Sequence, residues 1–234
     1  MTKQQLIFVA LDYLNKNPYR FNSQEKAKFL NGLTEWANGK MSEIDDEIYD
    51  FLIDVGIYKG KRREEEFVSY LNQKYGIIRF KKILDVGAGR MCKLSEALAK
   101  FGNSMYAIDP NIRLSQQEAN RIGIKSIKLQ KFVCDEFAKN GKGTNIQSYD
   151  YIIGLEPCDA TEHIIRQGIK YEKPFDILLC GAPHKALNGS TFDDYEEWYE
   201  YLSSISTEVK ISKFASNYVA SNTNFQKNEN EIEK

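Results

Sequence analysis

The chain has 234 residues, which is enough for one large domain with a complete hydrophobic core, or for such a domain with a smaller appendage. Its 32 Lys and Arg nearly balance 33 Asp and Glu, and the formal net charge of -1 excludes a global attraction to nucleic acid or to an anionic membrane. The sequence contains neither an apolar run of membrane-spanning length, nor a secretory-signal pattern, nor a CxxC pair. We therefore expect a cytoplasmic protein with reduced thiols and no membrane association.

The first part of the chain is predicted to be helical. Apolar residues recur there at helical spacing, and three helices begin at capping patterns: Thr2 with Gln5, Asn22 with Glu25, and Ser42 with Asp45. A fourth helix is predicted from about 62 to 75. The run KRREEE at its start pairs acids with bases on a solvated face, which favours a helix surface over a nucleic-acid patch. These observations predict an N-terminal α-helical appendage over residues 1–78.

Beyond that appendage, predicted strands and helices alternate, which is typical of a parallel sheet covered by helices on both faces. Strands are predicted at 82–87, 104–109, within 125–133, 149–155, 175–180, 209–214 and 218–222. Helices are predicted at 91–101, 114–122, 160–169 and 192–204. The polar residues 226–234 are expected to form a frayed tail.

The most informative stretch is 81–110, where a strand, a glycine turn, a helix, a second strand and an acid follow one another. The turn reads DVGAG at 85–89, and its glycines allow the backbone to turn sharply and to approach a ligand beside a helix N-terminus. Asp109 ends the second strand, where a carboxylate can accept both hydroxyls of a ribose. Asp85 would repel a pyrophosphate but suits a ligand that carries a positive charge.

This stretch resembles the class I S-adenosylmethionine-dependent methyltransferases, and the resemblance covers roughly residues 75–225. In that family the first strand ends in D/E-x-G-x-G-x-G, and an acid after the second strand holds the ribose. Met91 departs from the pattern because it stands where the third glycine is usual. A chance glycine turn in another α/β domain is the alternative.

The resemblance implies an α/β fold: a doubly wound, mostly parallel seven-stranded sheet, Rossmann-like, over residues 79–225, closed by a reversed hairpin. It also implies S-adenosyl-L-methionine as the cofactor. The residues implied to bind it lie at the ends of the first four strands: Asp85, Gly87, Ala88, Gly89, Asp109, Phe132 or Asp135 near the adenine, and Glu156. We further hypothesise that the helical appendage lies over the strand ends and closes the acceptor pocket.

The segment 154–166, GLEPCDATEHIIR, stands where the family has the loop that faces the methyl group and the acceptor. Exocyclic-amine methyltransferases show Asp/Asn-Pro-Pro-aromatic there, and this chain lacks the second proline and the aromatic residue. The segment is more similar to a branch whose loop reads small-Cys-Asp-x-Ala-Thr-Asp, and that branch does not identify an acceptor. The resemblance therefore implies a reaction and leaves the substrate open.

Three residues near this loop are predicted to be catalytic: Asp159, His163 and His184. The last two are the only histidines of the chain, and histidine is the side chain best suited to proton transfer near neutral pH. The alternative is structural, with His163 bonding Asp159 or solvent and His184 satisfied by backbone. A metal site formed by these three residues with Glu156 is a weaker alternative, because no HxH or HxxxH spacing supports it. We expect no metal.

Cys158 raises a further possibility. A Pro-Cys pair after the fourth strand also occurs in cytosine-C5 methyltransferases, in which the thiolate adds to the base, and Cys180 would supply a second thiol. The balanced charge and the lack of that family's other motifs argue against it. We conclude that the sequence predicts an S-adenosylmethionine-dependent methyltransferase with a small-molecule acceptor. An RNA methyltransferase and a non-catalytic cofactor-binding or interaction module are the alternatives.

Overall fold

The computed structural model describes residues 2–18, 21–40, 46–58, 62–76, 82–181 and 185–222. The chain forms two compact units, which divide between Arg63 and Glu64. Among the described residues, no helix is both long enough and apolar enough to cross a membrane.

The first unit contains three helices, α1 (Lys3–Lys16), α2 (Ser23–Ala37) and α3 (Asp46–Asp54). The capping boxes predicted for α1 and α2 are confirmed, with the Thr2 and Asn22 side chains each accepting the amide of the residue three positions on. The predicted cap at Ser42 and Asp45 lies outside the described residues. An apolar cluster holds the three helices together, with buried members Leu6, Ala10, Leu14, Phe21, Phe29, Leu33, Ile48, Phe51 and Leu52.

The second unit contains α4 (Arg63–Tyr75) and the alternating α/β segment. Its strands are β1 (Lys82–Val86), β2 (Ser104–Ile108), β3 (Ile124–Lys128), β4 (Tyr151–Leu155), β5 (Phe175–Leu178), β6 (Val209–Phe214) and β7 (Asn217–Asn222). Its other helices are α5 (Lys93–Ala99), α6 (Gln116–Arg121), α7 (Thr161–Lys170) and α8 (Tyr195–Ser204). These elements confirm the predicted order of strands and helices.

The seven strands form one sheet in the order β3-β2-β1-β4-β5-β7-β6. The first five strands run parallel to one another, and β7 enters antiparallel between β5 and β6. The predicted reversed hairpin is therefore confirmed. Because the parallel strands all end at one edge, the loops after β1 to β5 meet there, and a ligand site is expected at that edge.

Side chains of β1 alternate between two apolar layers, one on each face of the sheet. Ile83 packs in the layer that includes α5, whereas Leu84 and Val86 pack in the layer that includes α7 and α8. This alternation places Asp85 on the α5 face, where it is fully buried. A carboxylate in an otherwise apolar layer requires a physical explanation, since burial of an unpaired charge is costly.

Helix α4 packs with the sheet, although the sequence places the domain boundary after it, at 78/79. Its residues Phe67, Val68, Tyr70 and Leu71 join the apolar layer on the α5 face. Asp176, fully buried on β5, binds the helix by accepting the Tyr70 hydroxyl at 3.1 Å, the Lys74 ammonium at 2.7 Å and the Tyr75 hydroxyl at 2.6 Å. Burial and the neighbouring Asp176 raise the pKa of Tyr75.

Candidate functional site

The turn after β1 depends on two glycines whose backbone φ angles are positive, in the left-handed region. Gly87 has φ 70° and Gly89 has φ 68°, which glycine adopts without the steric cost of a Cβ atom. The two positions differ in their surroundings. A Cβ at Gly87 would lie 2.8 Å from Cα of Pro157, whereas a Cβ at Gly89 would meet nothing within 4 Å. Open space at this turn therefore lies beside Gly89.

Met91 stands where the family pattern has its third glycine, and the next residue, Cys92, takes the left-handed conformation instead. Cys92 takes a left-handed conformation with φ 50°, and α5 begins at the next residue. The chain thus reaches the helix without a glycine at position 91. Ala88, between the two glycines, directs its amide at the Ile108 carbonyl at 3.4 Å, and the Gly87 amide donates to the same carbonyl at 2.9 Å.

Asp85 lies beneath this turn with only one of its oxygens bonded. Oδ2 accepts the Ser95 hydroxyl at 2.6 Å, and Oδ1 is buried without a hydrogen-bond partner among the described residues. Burial raises the pKa of Asp85 to about 7; the bonds from Ser95 oppose this shift, and the nearby charge of Asp109 adds to it. A positive charge near the turn would offset this penalty, whereas a phosphate would increase it.

Asp109 binds the same turn from the end of β2. Its Oδ2 accepts the Gly89 amide at 3.2 Å, and its Oδ1 accepts the Asn111 amide at 2.6 Å. The side chain is only half-buried. Each carboxylate oxygen can accept more than one hydrogen bond, so acceptor capacity remains for the hydroxyls of a ligand.

The loop after β3 separates the two residues predicted near the adenine. Phe132 is buried in the apolar layer that includes β1 and β2. Asp135, in contrast, is bound at the far end of α7, where its carboxylate accepts the Lys170 ammonium at 2.6 Å, the Tyr171 hydroxyl and the Gly143 amide at 2.7 Å. These partners hold the pKa of Asp135 below its usual range. These bonds fix the loop after β3, and the expected place of Asp135 beside the cofactor stays a prediction.

The loop after β4 contacts the glycine turn and contains strained backbone. Glu156 and Cys158 adopt φ 49° and 46°, which is unfavourable for residues with a Cβ. Between them, buried Pro157 packs against Gly87. The Glu156 amide donates to the Leu178 carbonyl of β5 at 2.9 Å, and Asp159 is exposed. The structure thus brings Glu156 and Asp159 to the same edge of the sheet as the glycine turn.

His163 is bonded through its Nδ1 to the loop after β3, and its predicted catalytic role stays a prediction. The Cys134 amide donates to its Nδ1 at 3.3 Å, and the Cys134 Sγ lies 3.1 Å from the same nitrogen. Both contacts are made by Nδ1, and they bind the ring to the loop after β3. Burial lowers the pKa of His163, which favours the neutral ring. It holds the loop after β3 against α7, a structural contact different from the one predicted. His184 lies outside the described residues.

Glu162 and Ser95 were missed by the sequence analysis. Glu162 is buried, and it accepts the Arg166 guanidinium at 2.8 Å, the Tyr201 hydroxyl at 2.7 Å and the Leu187 amide at 2.8 Å. Glu162 therefore fixes two elements to α7, namely the loop after β5 and helix α8. Ser95 has a signal in the sequence, because a small polar residue stands between apolar Leu94 and Leu98 on the buried side of α5. Glu162 has none, since acids at a helix N-terminus are usually solvated.

The cysteine-nucleophile alternative for the loop after β4 loses support, and the metal alternative includes His184, which lies outside the described residues. A hydrogen bond with the Cys180 thiol, burial and nearby acids raise the pKa of Cys158, which disfavours the thiolate that addition to a cytosine requires. Within the described ranges, no group of three or more His, Cys, Asp and Glu residues could hold a metal ion.

Comparison with protein-family models finds no match, and comparison with curated proteins finds none either. Similar solved structures are methyltransferases. A T. thermophilus 16S rRNA methyltransferase (RsmC), in complex with AdoMet and guanosine, is 16% identical over 71% of this chain and 44% of that chain, with a TM-score of 0.47. A SAM-dependent methyltransferase from Aquifex aeolicus is 13% identical over 77% and 98%, with a TM-score of 0.44. The plantazolicin methyltransferase BpumL, in complex with SAH, is 13% identical over 95% and 99%, with a TM-score of 0.45.

The fold is assigned from the topology of the sheet and does not depend on these similar structures. The sheet order β3-β2-β1-β4-β5-β7-β6, the single antiparallel strand β7 and the glycine turn between β1 and α5 occur together. This chain has the Rossmann-like fold of the class I S-adenosylmethionine-dependent methyltransferases.

Proposed function

We propose that this chain binds S-adenosyl-L-methionine at the turn after β1 and transfers its methyl group to a small-molecule acceptor. The observation that carries the proposal is the pair of carboxylates at that turn. Asp85 is buried with an unbonded oxygen, and Asp109 adds a second negative charge close enough to raise the pKa of Asp85. A cationic ligand with ribose hydroxyls complements both acids.

The residues present fit this cofactor. Asp109 has acceptor capacity for ribose hydroxyls, the space beside Gly89 is open, and Phe132 supplies an apolar wall for an adenine. Asp85 offsets the positive charge of the amino-acid end, and Glu156 follows β4 at the same edge. When bound, the cofactor supplies an electrophilic methyl group, so the protein has to position the nucleophile and exclude water.

Charge on the acceptor side supports a small molecule over RNA. Glu156 and Asp159 follow β4. Further exposed acids lie before α8, at Asp193 and Asp194, and on α8 itself, at Glu196, Glu197 and Glu200. Tyr199 connects α8 to this edge, because its hydroxyl donates to the Cys180 carbonyl at 3.3 Å. A phosphate backbone would be repelled there, whereas a neutral or cationic acceptor would not.

Asp159 is one described candidate for proton transfer. It is exposed on the loop after β4, whereas Nδ1 of His163 is already bonded. A base is required only if the acceptor is protonated at pH 7. For an acceptor with a free lone pair, orientation alone is sufficient.

The test is methyl transfer from S-adenosylmethionine with a radiolabelled methyl group, offered separately to total RNA and to fractionated small-molecule extracts. We expect label in one small-molecule fraction, and less label at the same cofactor concentration when Asp109→Ala replaces the wild-type protein. Label in RNA, together with RNA binding that weakens steeply with salt, would replace the small-molecule proposal by the RNA alternative.

A further inference from the structure

Two cysteine thiols meet at the carboxyl ends of neighbouring parallel strands. Leu155 of β4 is paired with Leu178 of β5, and the next amide along, that of Glu156, donates to the Leu178 carbonyl at 2.9 Å. Cys158 and Cys180 follow within three residues of this pairing. The Cys158 Sγ lies 3.3 Å from the Glu156 carbonyl oxygen. The Cys180 thiol is close enough to raise the pKa of the Cys158 thiol.

The backbone holds both cysteines in this arrangement. Glu156 and Cys158 both have left-handed φ angles, and such strain persists only where the surroundings fix the backbone. On the other strand, the Tyr199 hydroxyl donates to the Cys180 carbonyl at 3.3 Å. Cys158 is exposed and Cys180 is half-buried, so a ligand can reach the pair from solvent.

We propose that Cys158 and Cys180 form a chelating dithiol site for a soft, thiophilic ion at the carboxyl ends of β4 and β5. Such ions select sulfur ligands over oxygen ligands, and they displace the thiol protons when they bind, so the raised pKa of the free Cys158 thiol does not prevent binding. After the first thiolate has bound, the second is already adjacent, and an effective concentration of this kind strengthens binding by about 10²–10⁴-fold over a single thiol. The site does not depend on methyl transfer, although an ion bound there would lie in the loop that faces the acceptor.

The chain provides its own controls. Cys92 and Cys134 are both buried, Cys92 in the α5 layer and Cys134 against His163. Because neither thiol is accessible to solvent, we expect neither to form a chelating pair with Cys158 or Cys180 while the protein is folded. A reagent that requires two adjacent thiols therefore distinguishes the proposed site from ordinary cysteine reactivity.

The experiment uses the full chain, reduced with a phosphine and titrated with phenylarsine oxide. Two As–S bonds form, and the two thiol protons leave with the oxide oxygen as water, so no oxidant or reductant is needed. We expect one adduct by intact mass that resists excess glutathione and is removed by dithiothreitol. Cys158→Ser and Cys180→Ser should each weaken binding by about 10²–10⁴-fold. Cys134→Ser should bind as the wild type does.

An adduct retained in both single variants, no adduct on the folded wild type, or an adduct displaced by glutathione would overturn the proposal. Circular dichroism confirms that each variant is folded. If Cys180→Ser does not fold, Cys158→Ser decides alone, because Cys158 is exposed and its replacement leaves the core intact.

Discussion

Asp109 accepts the amide of Gly89 at 3.2 Å, and this contact joins the end of β2 to the turn after β1. The same carboxylate binds the Asn111 amide at 2.6 Å through its other oxygen. The ribose-binding acid expected from the resemblance therefore also orders the glycine turn. A substitution at Asp109 would therefore remove a contact with the ligand and would also loosen the glycine turn. A pair of variants separates these two effects.

Asp109→Ala should weaken S-adenosylmethionine binding by about 1–3 kcal/mol, because ribose hydroxyls lose their acceptor. Asp109→Asn should lose less, since its amide oxygen still accepts from Gly89. Titration calorimetry measures both. Asp135→Ala is the matched control, because that carboxylate is bound to Lys170 and Tyr171, and cofactor affinity should fall less. Equal losses in Asp109→Ala and Asp135→Ala would contradict the assignment.

Asp85 should make the cofactor-free protein less stable as pH rises. Its pKa is about 7 in the folded state and 3.8 ordinarily, so between these values the folded state holds more protons than the unfolded state. The free energy of unfolding then falls with rising pH, by up to about 4 kcal/mol at about 1.4 kcal/mol for each pKa unit. Asp85→Asn should abolish this dependence.

Urea denaturation at pH 5 and at pH 8 tests this expectation. The lowered pKa of His163 acts in the opposite direction, because a neutral buried histidine stabilises the fold as pH rises. That contribution is common to wild type and Asp85→Asn, so the difference between the two proteins isolates Asp85. If the free energies of unfolding of wild type and Asp85→Asn differ by the same amount at pH 5 and at pH 8, a raised pKa at Asp85 is excluded.

Alanine at the two turn glycines should have unequal effects. Both positions have left-handed φ angles and share a cost of about 1 kcal/mol for a side chain. At Gly87 the added Cβ also meets the backbone of Pro157 at 2.8 Å, which should add about 1–3 kcal/mol. Gly89→Ala should remain folded and lose cofactor affinity, because its open side is the space proposed for the ligand. Equal stabilities by denaturation would show that the β4 loop does not pack against Gly87.

Asp176→Asn should destabilise the second unit by about 3 kcal/mol. The Lys74 ammonium loses its charged partner, and the hydroxyls of Tyr70 and Tyr75 on α4 and of Tyr151 on β4 lose a carboxylate acceptor. Asp12→Asn is the control. It removes an exposed pair with Lys16 on α1 and should change the stability by less than about 1 kcal/mol. Similar denaturation midpoints for the two variants would contradict a role for Asp176 in anchoring α4.

Much of the fold was predictable because the signals are local. Capping boxes at Thr2 and Asn22 mark helix starts, and apolar runs that end in glycine or acid mark the carboxyl ends of strands. The glycine turn was predictable for the same reason, since Asp85, Gly87, Gly89 and Asp109 lie within one β-α-β unit, and their binding of the cofactor stays a prediction. The covering role proposed for the first three helices stays a prediction.

Residues whose role depends on distant contacts were not predictable. Asp135 follows β3 in the sequence, but its carboxylate is bound by Lys170 and Tyr171. His163 has a favourable position in the sequence, yet the Cys134 amide donates to its Nδ1. Helix α4 belongs with the sheet because Asp176, a hundred residues further along the chain, binds it. Spacing along the chain carries no information about such pairs.

The central claim is tested most directly by comparing the binding of S-adenosylmethionine and of NAD to the wild-type protein by titration calorimetry. Two carboxylates at the glycine turn favour a cationic ligand and repel a pyrophosphate. The account predicts saturable one-to-one binding of S-adenosylmethionine and no measurable binding of NAD. Preferential binding of NAD, or a folded protein that does not bind S-adenosylmethionine, would contradict it.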